Sequence, residues 1–202
     1  SGHNLWIATK GEGLVKAEPQ GEMRYKLTRY QHRKDDIYSL SDDNVYCVYE
    51  DDKGRIWVAT FGGGINYLTR NRDGKEIFVN HRNNLKGFPI DKCHKVRFIT
   101  GDHQGNIWIA TTVGALMVNG SFKNPEDAVF HHYLRVQDDM YSLSNNDVHW
   151  ILSTRKKELY LATFGGGLNK LLSVNADGHA RFRSYCVEDG LPSDILLSIR
   201  ED

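Results

Sequence analysis

One five-residue pattern recurs four times along the chain at a nearly constant interval. It consists of an aliphatic residue, an aromatic residue, a second aliphatic residue, Ala and Thr, and it occupies residues 5–9, 56–60, 107–111 and 159–163. The aromatic residues Trp6, Trp57, Trp108 and Tyr160 are therefore 51, 51 and 52 residues apart. A period of about 20–50 residues is typical of proteins built from stacked supersecondary units. The pattern predicts about four such units.

Each copy of the pattern has the same neighbours. A run of alternating apolar residues begins 12 residues before the aromatic residue, at Val45, Val96 and Val148. A glycine-rich turn and a third alternating run follow the pattern, and a fourth short run, such as 76–79 or 128–133, completes the unit. Alternation with a period of two between turn residues indicates β-strands. The sequence therefore predicts an all-β fold of β-propeller blades, with about four repeat units of four antiparallel strands each.

We assign residues 1–202 to one β-propeller repeat region. Its divisions are a partial unit 1–35, the units 36–83, 84–136 and 137–185, and a partial unit 186–202. The last partial unit ends in a predicted first strand and the first one opens before a second strand, so the two complement each other. Either the chain is part of a larger propeller, or its termini pair and close a ring. In an open arc, apolar end faces would favour contact with neighbouring blades or with another copy of the chain.

Charge and cysteine content argue against several classes of protein. Lys and Arg number 26, as do Asp and Glu, so the formal net charge is zero. This balance lacks the electrostatic footprint of a nucleic-acid binder or of a protein held at an anionic membrane. The three cysteines share no short spacing of the kind that indicates a metal site. We expect no metal, no cofactor, no nucleic-acid partner and no direct membrane insertion.

Segments around the pattern resemble a known family. Residues 38–45 and 141–148 share Tyr-Ser-Leu-Ser before a turn rich in Asn and Asp. Residues 61–66 and 164–169 share Phe-Gly-Gly-Gly followed by an aliphatic residue and Asn. Together with the Trp-containing strand, these segments resemble two-component regulator propeller repeats. The chain departs from that pattern at 112–115, where Thr-Val-Gly-Ala replaces the triple glycine, and at position 160, where Tyr replaces Trp.

The resemblance implies a role and a location. In that family such repeats form the extracytoplasmic sensor region of hybrid two-component system proteins of Bacteroidetes, and their ligands are generally oligosaccharides. It therefore implies a periplasmic carbohydrate-sensing module in signal transduction, the sensor part of an inner-membrane hybrid histidine kinase. The kinase itself would lie outside these 202 residues.

A candidate ligand site follows from the expected arrangement of loops. In a propeller, the loops between blades share one face with the loops between second and third strands, and a concave face with convergent polar groups is the default ligand site. The candidate ligand-binding residues are Phe61, Phe164, Asn44, Asn146, Asp147, His94, Lys95 and Thr112. The two phenylalanines would stack on sugar rings, and the polar groups would bond hydroxyls. Those that recur between units have an alternative role in turns, whereas His94, Lys95 and Thr112 break the repeat.

Three functions remain open at this point. The first is a sensor module that binds an oligosaccharide or another small molecule. The second is a glycosidase or lyase on a propeller scaffold, which would need two facing carboxylates; Asp147 and Asp194 are the acids to test. The third is a protein-interaction scaffold. No order of Ser, His and Asp typical of a catalytic triad is readable, so we expect no catalytic residues and a binding module rather than an enzyme.

Overall fold

A computed structural model of the chain describes residues 3–202, and nearly all of its regular structure is antiparallel β-sheet. The strands form four sheets in chain order, numbered here as blades 1 to 4. Blade 1 contains β1 (Leu5–Ala8), β2 (Leu14–Pro19) and β3 (Tyr25–Tyr30). Blade 2 contains β4 (Val45–Glu50), β5 (Ile56–Thr60), β6 (Gly64–Arg70) and β7 (Glu76–Asn80). Blade 3 contains β8 (Val96–Gly101), β9 (Asn106–Thr111), β10 (Gly114–Asn119) and β11 (Phe130–Tyr133). Blade 4 contains β12 (Val148–Ser153), β13 (Leu159–Thr163), β14 (Leu168–Val174) and β15 (Ala180–Tyr185).

The predicted all-β blade architecture is confirmed. Blades 2, 3 and 4 each have four strands that pair in sequential order, and their first strands begin at Val45, Val96 and Val148 as the alternating runs predict. Helical structure in the described residues is limited to α1 (Ile90–Cys93) and two 3-10 turns, Pro125–Asp127 and Val187–Asp189. The first two lie in connections between strands and the third follows β15, so they leave the sheets uninterrupted.

Residues 196–202 do not form the predicted first strand, and that prediction was wrong. The start of this segment pairs with the glycine loop of blade 4, in the same way as the segments before the other first strands pair with their preceding blades. Ile195 forms a bridge with Phe164, and the Leu196 N–H donates to the Thr163 carbonyl at 3.0 Å. A first strand is completed by pairing with the second strand of its own blade. The described residues provide no such partner beyond this point.

The described blades form an open row rather than a closed ring. β1 pairs only with β2, and within residues 3–202 no bridge joins β1 to 196–202. At the two ends of the row, Leu5 is 51% exposed and Leu197 is 61% exposed. The alternative in which residues 3–202 close on themselves is therefore not found.

Apolar clusters between neighbouring blades make up the core. The cluster between blades 2 and 3 contains Trp57 and Ile107, and the cluster between blades 3 and 4 contains Trp108 and Phe182. Trp57 and Trp108 are fully buried, and a side chain of this size removes on the order of 150–250 Å² from water. The prediction that these tryptophans pack between blades is confirmed.

Each of these two tryptophans also donates its indole N–H to an aspartate six residues earlier in the chain. Trp57 Nε1 lies 2.8 Å from Asp51 Oδ2, and Trp108 Nε1 lies 2.8 Å from Asp102 Oδ2. A buried indole N–H without an acceptor would cost about 1–3 kcal/mol. The aspartate at the end of the first strand and the tryptophan of the second strand therefore act as a pair.

Blade 4 changes both members of this pair together. Thr154 occupies the position of the aspartate, and Tyr160 occupies the position of the tryptophan. The Tyr160 hydroxyl donates instead to Glu158 Oε2 at 3.0 Å, and Lys170 donates to the other oxygen of that carboxylate at 2.5 Å. The tyrosine that replaces tryptophan at position 160 therefore has a hydrogen-bond partner close by in the chain, Glu158.

The environment of Asp51 makes its contribution to stability dependent on pH. Burial alone raises the pKa of Asp51, but hydrogen bonds from Trp57 and Arg55 together with the Arg55 charge hold this pKa below its ordinary value. An acid with a lowered folded-state pKa stabilises the fold above the unfolded-state pKa of about 3.9. That stability is lost as the pH falls through the folded-state pKa.

We predict that Asp51→Ala lowers the free energy of unfolding at pH 7 by about 1–3 kcal/mol, because the Trp57 indole and Arg55 lose their acceptor. Denaturant unfolding between pH 7 and pH 3 should show a steeper acid loss for the wild type than for the variant. Asp52→Ala, at the exposed neighbouring position, is the control and should stay within about 0.5 kcal/mol of wild type. Equal effects of the two substitutions would contradict the assignment.

The outer face of blade 1 is apolar and exposed, and we expect it to bind another copy of the chain. Leu5 and Leu27 lie on this face on either side of the buried Ala17, and they are 51% and 65% exposed. The equivalent residues of blade 2, Ile56 and Phe78, are only 8% and 3% exposed because blade 1 packs over them. An exposed apolar face of this kind favours association.

We expect concentration-dependent association of the wild-type chain in sedimentation velocity, and weaker association of Leu27→Lys. Lys26→Gln, on the other face of the same strand, should behave as wild type. A wild-type chain that remains monomeric over the whole concentration range would contradict this prediction.

Candidate functional site

A backbone joint fixes each loop between second and third strands against the next blade. In blade 2, the Gly62 and Gly64 N–H groups donate to the His94 carbonyl at 3.0 and 2.9 Å. In blade 4, Gly165 and Gly167 donate to the Asp194 carbonyl, both at 2.9 Å. The joint therefore ties the glycine loop of one blade to the segment that leads into the first strand of the next blade.

Glycine is required at the last position of this loop. Gly167 has a φ of +70°, and a Cβ added there would overlap the carbonyl oxygen of Tyr185. Residues other than glycine adopt this backbone conformation at a cost of roughly 1–2 kcal/mol. The residue just before the glycines carries no such restriction, and Phe61 and Phe164 occupy that position at the surface.

The first strands of blades 2, 3 and 4 share a bulge that the sequence analysis did not identify. The pairing register shifts between the first and third residues of each strand, so Tyr46, Arg97 and His149 have no partner opposite them. A β-bulge re-aims a side chain and is common next to functional sites. The same blade position therefore presents three chemically different side chains.

Bulge residues and loop residues together form one row across three blades. Tyr46 stacks on Phe61 with ring centroids 4.7 Å apart, and His149 stacks on Phe164 with centroids 5.2 Å apart. Between these two aromatic pairs lies an ion pair that joins blades 3 and 4, formed by Arg97 and Asp147. We call this set the loop-face row; its members are Tyr46, Phe61, Arg97, Asp147, His149 and Phe164.

The ion pair at the centre of the row has bidentate geometry. Arg97 Nε and one terminal nitrogen donate to the two oxygens of Asp147 at 3.1 and 3.2 Å. His149 Nε2 lies 3.7 Å from Asp147 Oδ2. Side-chain exposures of 22% for Arg97 and 31% for Asp147 keep the pair accessible to solvent. Both groups can therefore exchange a protein hydrogen bond for one to a ligand hydroxyl.

Four of the predicted candidates lie on or beside the loop-face row. Phe61, Phe164 and Asp147 are members of it. Lys95 pairs with Phe61 in a backbone bridge and places its ammonium group 5.6 Å from the centre of that ring. Phe164 is 45% exposed, so one aromatic face of the row is open to solvent.

The other four candidates make contacts in the loops and turns beside the strands. Asn146 Oδ1 accepts the Arg135 N–H at 2.7 Å, and Asn44 donates its side-chain amide to Asp42 at 3.1 Å. His94 contributes its carbonyl to the glycine joint. The Thr112 N–H donates to the Lys95 carbonyl at 3.2 Å. These contacts hold the turns that surround the row.

The two acids considered for an enzyme are engaged with different groups. Asp147 pairs with Arg97, and Asp194 Oδ1 accepts the Val187 N–H at 2.9 Å.

The bulge residues could have been found by comparing the repeats position by position. Val45, Val96 and Val148 are identical, but the next residue is Tyr, Arg or His. The residue after it is apolar in all three blades (Cys47, Phe98 and Trp150), so the middle position alone changes its chemical class, and blade packing does not demand that change. That contrast was available in the sequence, although the bulge itself was not.

The comparisons with known proteins agree with this architecture. A family model described as two component regulator propeller matches residues 39–62, from the Ser-Leu-Ser segment to the glycine loop of blade 2. Residues 39–62 are thus similar to a two component regulator propeller repeat. The resemblance identified from the sequence is thereby confirmed. No curated protein matches the chain.

Several solved structures share the fold. The extracellular domain of the hybrid two component system BT3049 from B. thetaiotaomicron is 24% identical with a TM-score of 0.65, over 98% of this chain and 23% of that one. The corresponding domain of BT4673 from B. thetaiotaomicron is 17% identical with a TM-score of 0.57, over 88% and 23%. Virginiamycin B lyase from Staphylococcus aureus is 12% identical with a TM-score of 0.58, over 94% and 55%.

At these identities the likeness shows the β-propeller fold. The chain spans about a quarter of the length of the two B. thetaiotaomicron domains. Among residues 3–202, no helix has the length and apolarity needed to cross a bilayer.

The pKa of His149 depends on its neighbours in the loop-face row. Burial lowers the pKa of His149, the Arg97 charge lowers it further, and Asp147 acts in the opposite direction. We predict that Arg97→Ala raises the pKa of His149, since it removes a cation and leaves Asp147 unpaired beside the ring. Histidine ring signals followed by NMR against pH would measure this shift, with His149→Gln used for assignment.

Arg72→Ala, an exposed arginine between β6 and β7, is the control and should leave the His149 midpoint unchanged. If Arg97→Ala also leaves it unchanged, the two side chains are not neighbours in solution.

Proposed function

We propose that this chain is a ligand-sensing module of a hybrid two-component regulator and that its loop-face row recognises an oligosaccharide. The resemblance to regulator propeller repeats and the fold shared with extracellular domains of such systems support the sensor role. By the same likeness, we propose that the module works outside the cytoplasm, in the periplasm, as part of a larger membrane protein.

The observation that carries the proposal is the alternation of aromatic and hydrogen-bonding groups along the row. Tyr46–Phe61 and His149–Phe164 offer two stacked aromatic pairs, and Arg97 with Asp147 lies between them. A pyranose ring has apolar C–H faces that pack on aromatic rings and hydroxyls that need planar polar partners. Rigid aromatic side chains bury large areas at a small cost in conformational entropy.

The row also links recognition to blade geometry. Its members come from three blades, and the Arg97–Asp147 pair joins blades 3 and 4 directly. A ligand bound along the row would contact several blades at once. If it binds one blade arrangement more tightly than another, it shifts the equilibrium between them by that difference in affinity.

The test is an oligosaccharide array probed with the chain, followed by calorimetry on the ligands that bind. Phe61→Ala and Phe164→Ala should each weaken binding about tenfold, equal to about 1.4 kcal/mol, because each removes a stacking surface. Tyr25→Ala, at an exposed aromatic residue on β3 away from the row, should bind as wild type.

The outcomes separate the three functions. Binding without turnover supports the sensor module. Release of a shortened or unsaturated sugar would indicate a glycosidase or lyase, and the absence of any saccharide binding would leave the protein-interaction scaffold.

A further inference from the structure

Two cations converge on one aromatic ring of the loop-face row. The Lys95 ammonium nitrogen lies 5.6 Å from the centre of the Phe61 ring, and the Arg97 guanidinium carbon lies 5.4 Å from the same centre. Phe61 is itself stacked on Tyr46. A sugar in contact with this aromatic pair would therefore lie within reach of two positive charges.

The carboxylates of the same region already have hydrogen-bond partners. Asp147 accepts both hydrogen bonds from Arg97. Asp42 Oδ1 accepts the backbone and side-chain N–H groups of Asn44 at 2.8 and 3.1 Å. Asp43 Oδ1 accepts the His32 N–H at 2.7 Å. None of these carboxylates neutralises Lys95.

The lysine ammonium groups near the row, in contrast, form no ion pair with a carboxylate of the described residues. Lys95 is exposed, and no carboxylate of residues 3–202 lies within 4 Å of its ammonium group. The same holds for Lys10, which occupies the loop position of Phe61 in blade 1 and bridges Asn44 at the start of blade 2. The blade 2 end of the row therefore presents two ammonium groups that form no ion pair, although the whole chain has no net charge.

Blade 3 differs from its neighbours in the loop that faces Arg97. Thr112 occupies the position held by Phe61 in blade 2 and by Phe164 in blade 4. A short hydroxyl side chain there covers less of Arg97 than a phenyl ring would. The guanidinium group, which has five N–H donors and gives two of them to Asp147, keeps donors for a second acceptor.

We infer that the saccharide recognised by the loop-face row is acidic, carrying a carboxylate or a sulfate that binds Lys95 and Arg97 while its ring packs against the Tyr46–Phe61 pair. This inference rests on the proposed function and narrows its substrate class. Charge-assisted hydrogen bonds to an anion are roughly twice as strong as neutral ones. Cations on a binding face also raise the rate of association with anions, and that gain falls as salt is added.

The experiment compares sugars that differ only in charge. An array would carry oligomers of galacturonate, glucuronate and mannuronate beside their methyl esters, and sulfated galactose oligomers beside their desulfated forms. The ester pairs test a carboxylate ligand, and the desulfated pairs test a sulfate ligand. Calorimetry at low and high salt would follow for the strongest pair.

We expect at least one charged form to bind tenfold or more tightly than its uncharged partner, with affinity that decreases as salt increases. Lys95→Gln should reduce this preference about tenfold, because it removes one of the two cations that would contact the anion. Lys156→Gln, an exposed lysine in the turn at the opposite end of blade 4, should keep the full preference.

Each other result overturns the inference in a recognisable way. Equal affinity for charged and uncharged partners, or a preference that Lys95→Gln does not change, would contradict an acidic ligand and leave the oligosaccharide proposal standing. If no saccharide of either kind binds, the proposed function fails as well.

Discussion

The arrangement of the candidate site depends on one backbone joint that recurs along the chain. A carbonyl just before a first strand accepts N–H groups from the glycine loop of the preceding blade; His94 and Asp194 provide it for blades 2 and 4, and Asp43 provides it for blade 1. Because only backbone atoms take part, the joint places few demands on the side chains beside it. Each blade can therefore carry a different residue at the surface, such as Lys10, Phe61 or Thr112, without loss of the stacking geometry.

Buried polar clamps explain why the rest of the repeat is so constant. The Asn66 amide donates to Ser41 Oγ at 2.8 Å and accepts the Ser41 N–H at 2.9 Å, and Asn169 and Ser144 repeat both contacts. Buried polar groups must find such partners. The Ser-Leu-Ser segment and the Asn that follows the glycines are thus two halves of one clamp, brought together from 25 residues apart.

The sequence was sufficient for the blades because their determinants are periodic. A fixed interval and alternation within each run located the first strands at Val45, Val96 and Val148, and a recurring Trp marked the contact between blades. Only some residues of the loop-face row could be predicted from the sequence. Phe61 and Phe164 could be selected by residue type, whereas Arg97 and His149 are positioned by bulges, and alternation assumes a regular strand. Residues 196–202 have the pattern of a first strand, but a strand also needs a partner, which the pattern does not contain.

The central claim is that bulge residues and loop residues of three blades share one surface. A nuclear Overhauser experiment on assigned side chains tests it most directly. Cross-peaks are expected between the rings of Tyr46 and Phe61 and between those of His149 and Phe164, together with contacts from the Arg97 side chain to the Phe61 ring. If these side chains instead gave cross-peaks to the buried clusters around Trp57 or Trp108, the bulges would not present them at the surface. That result would contradict the loop-face row.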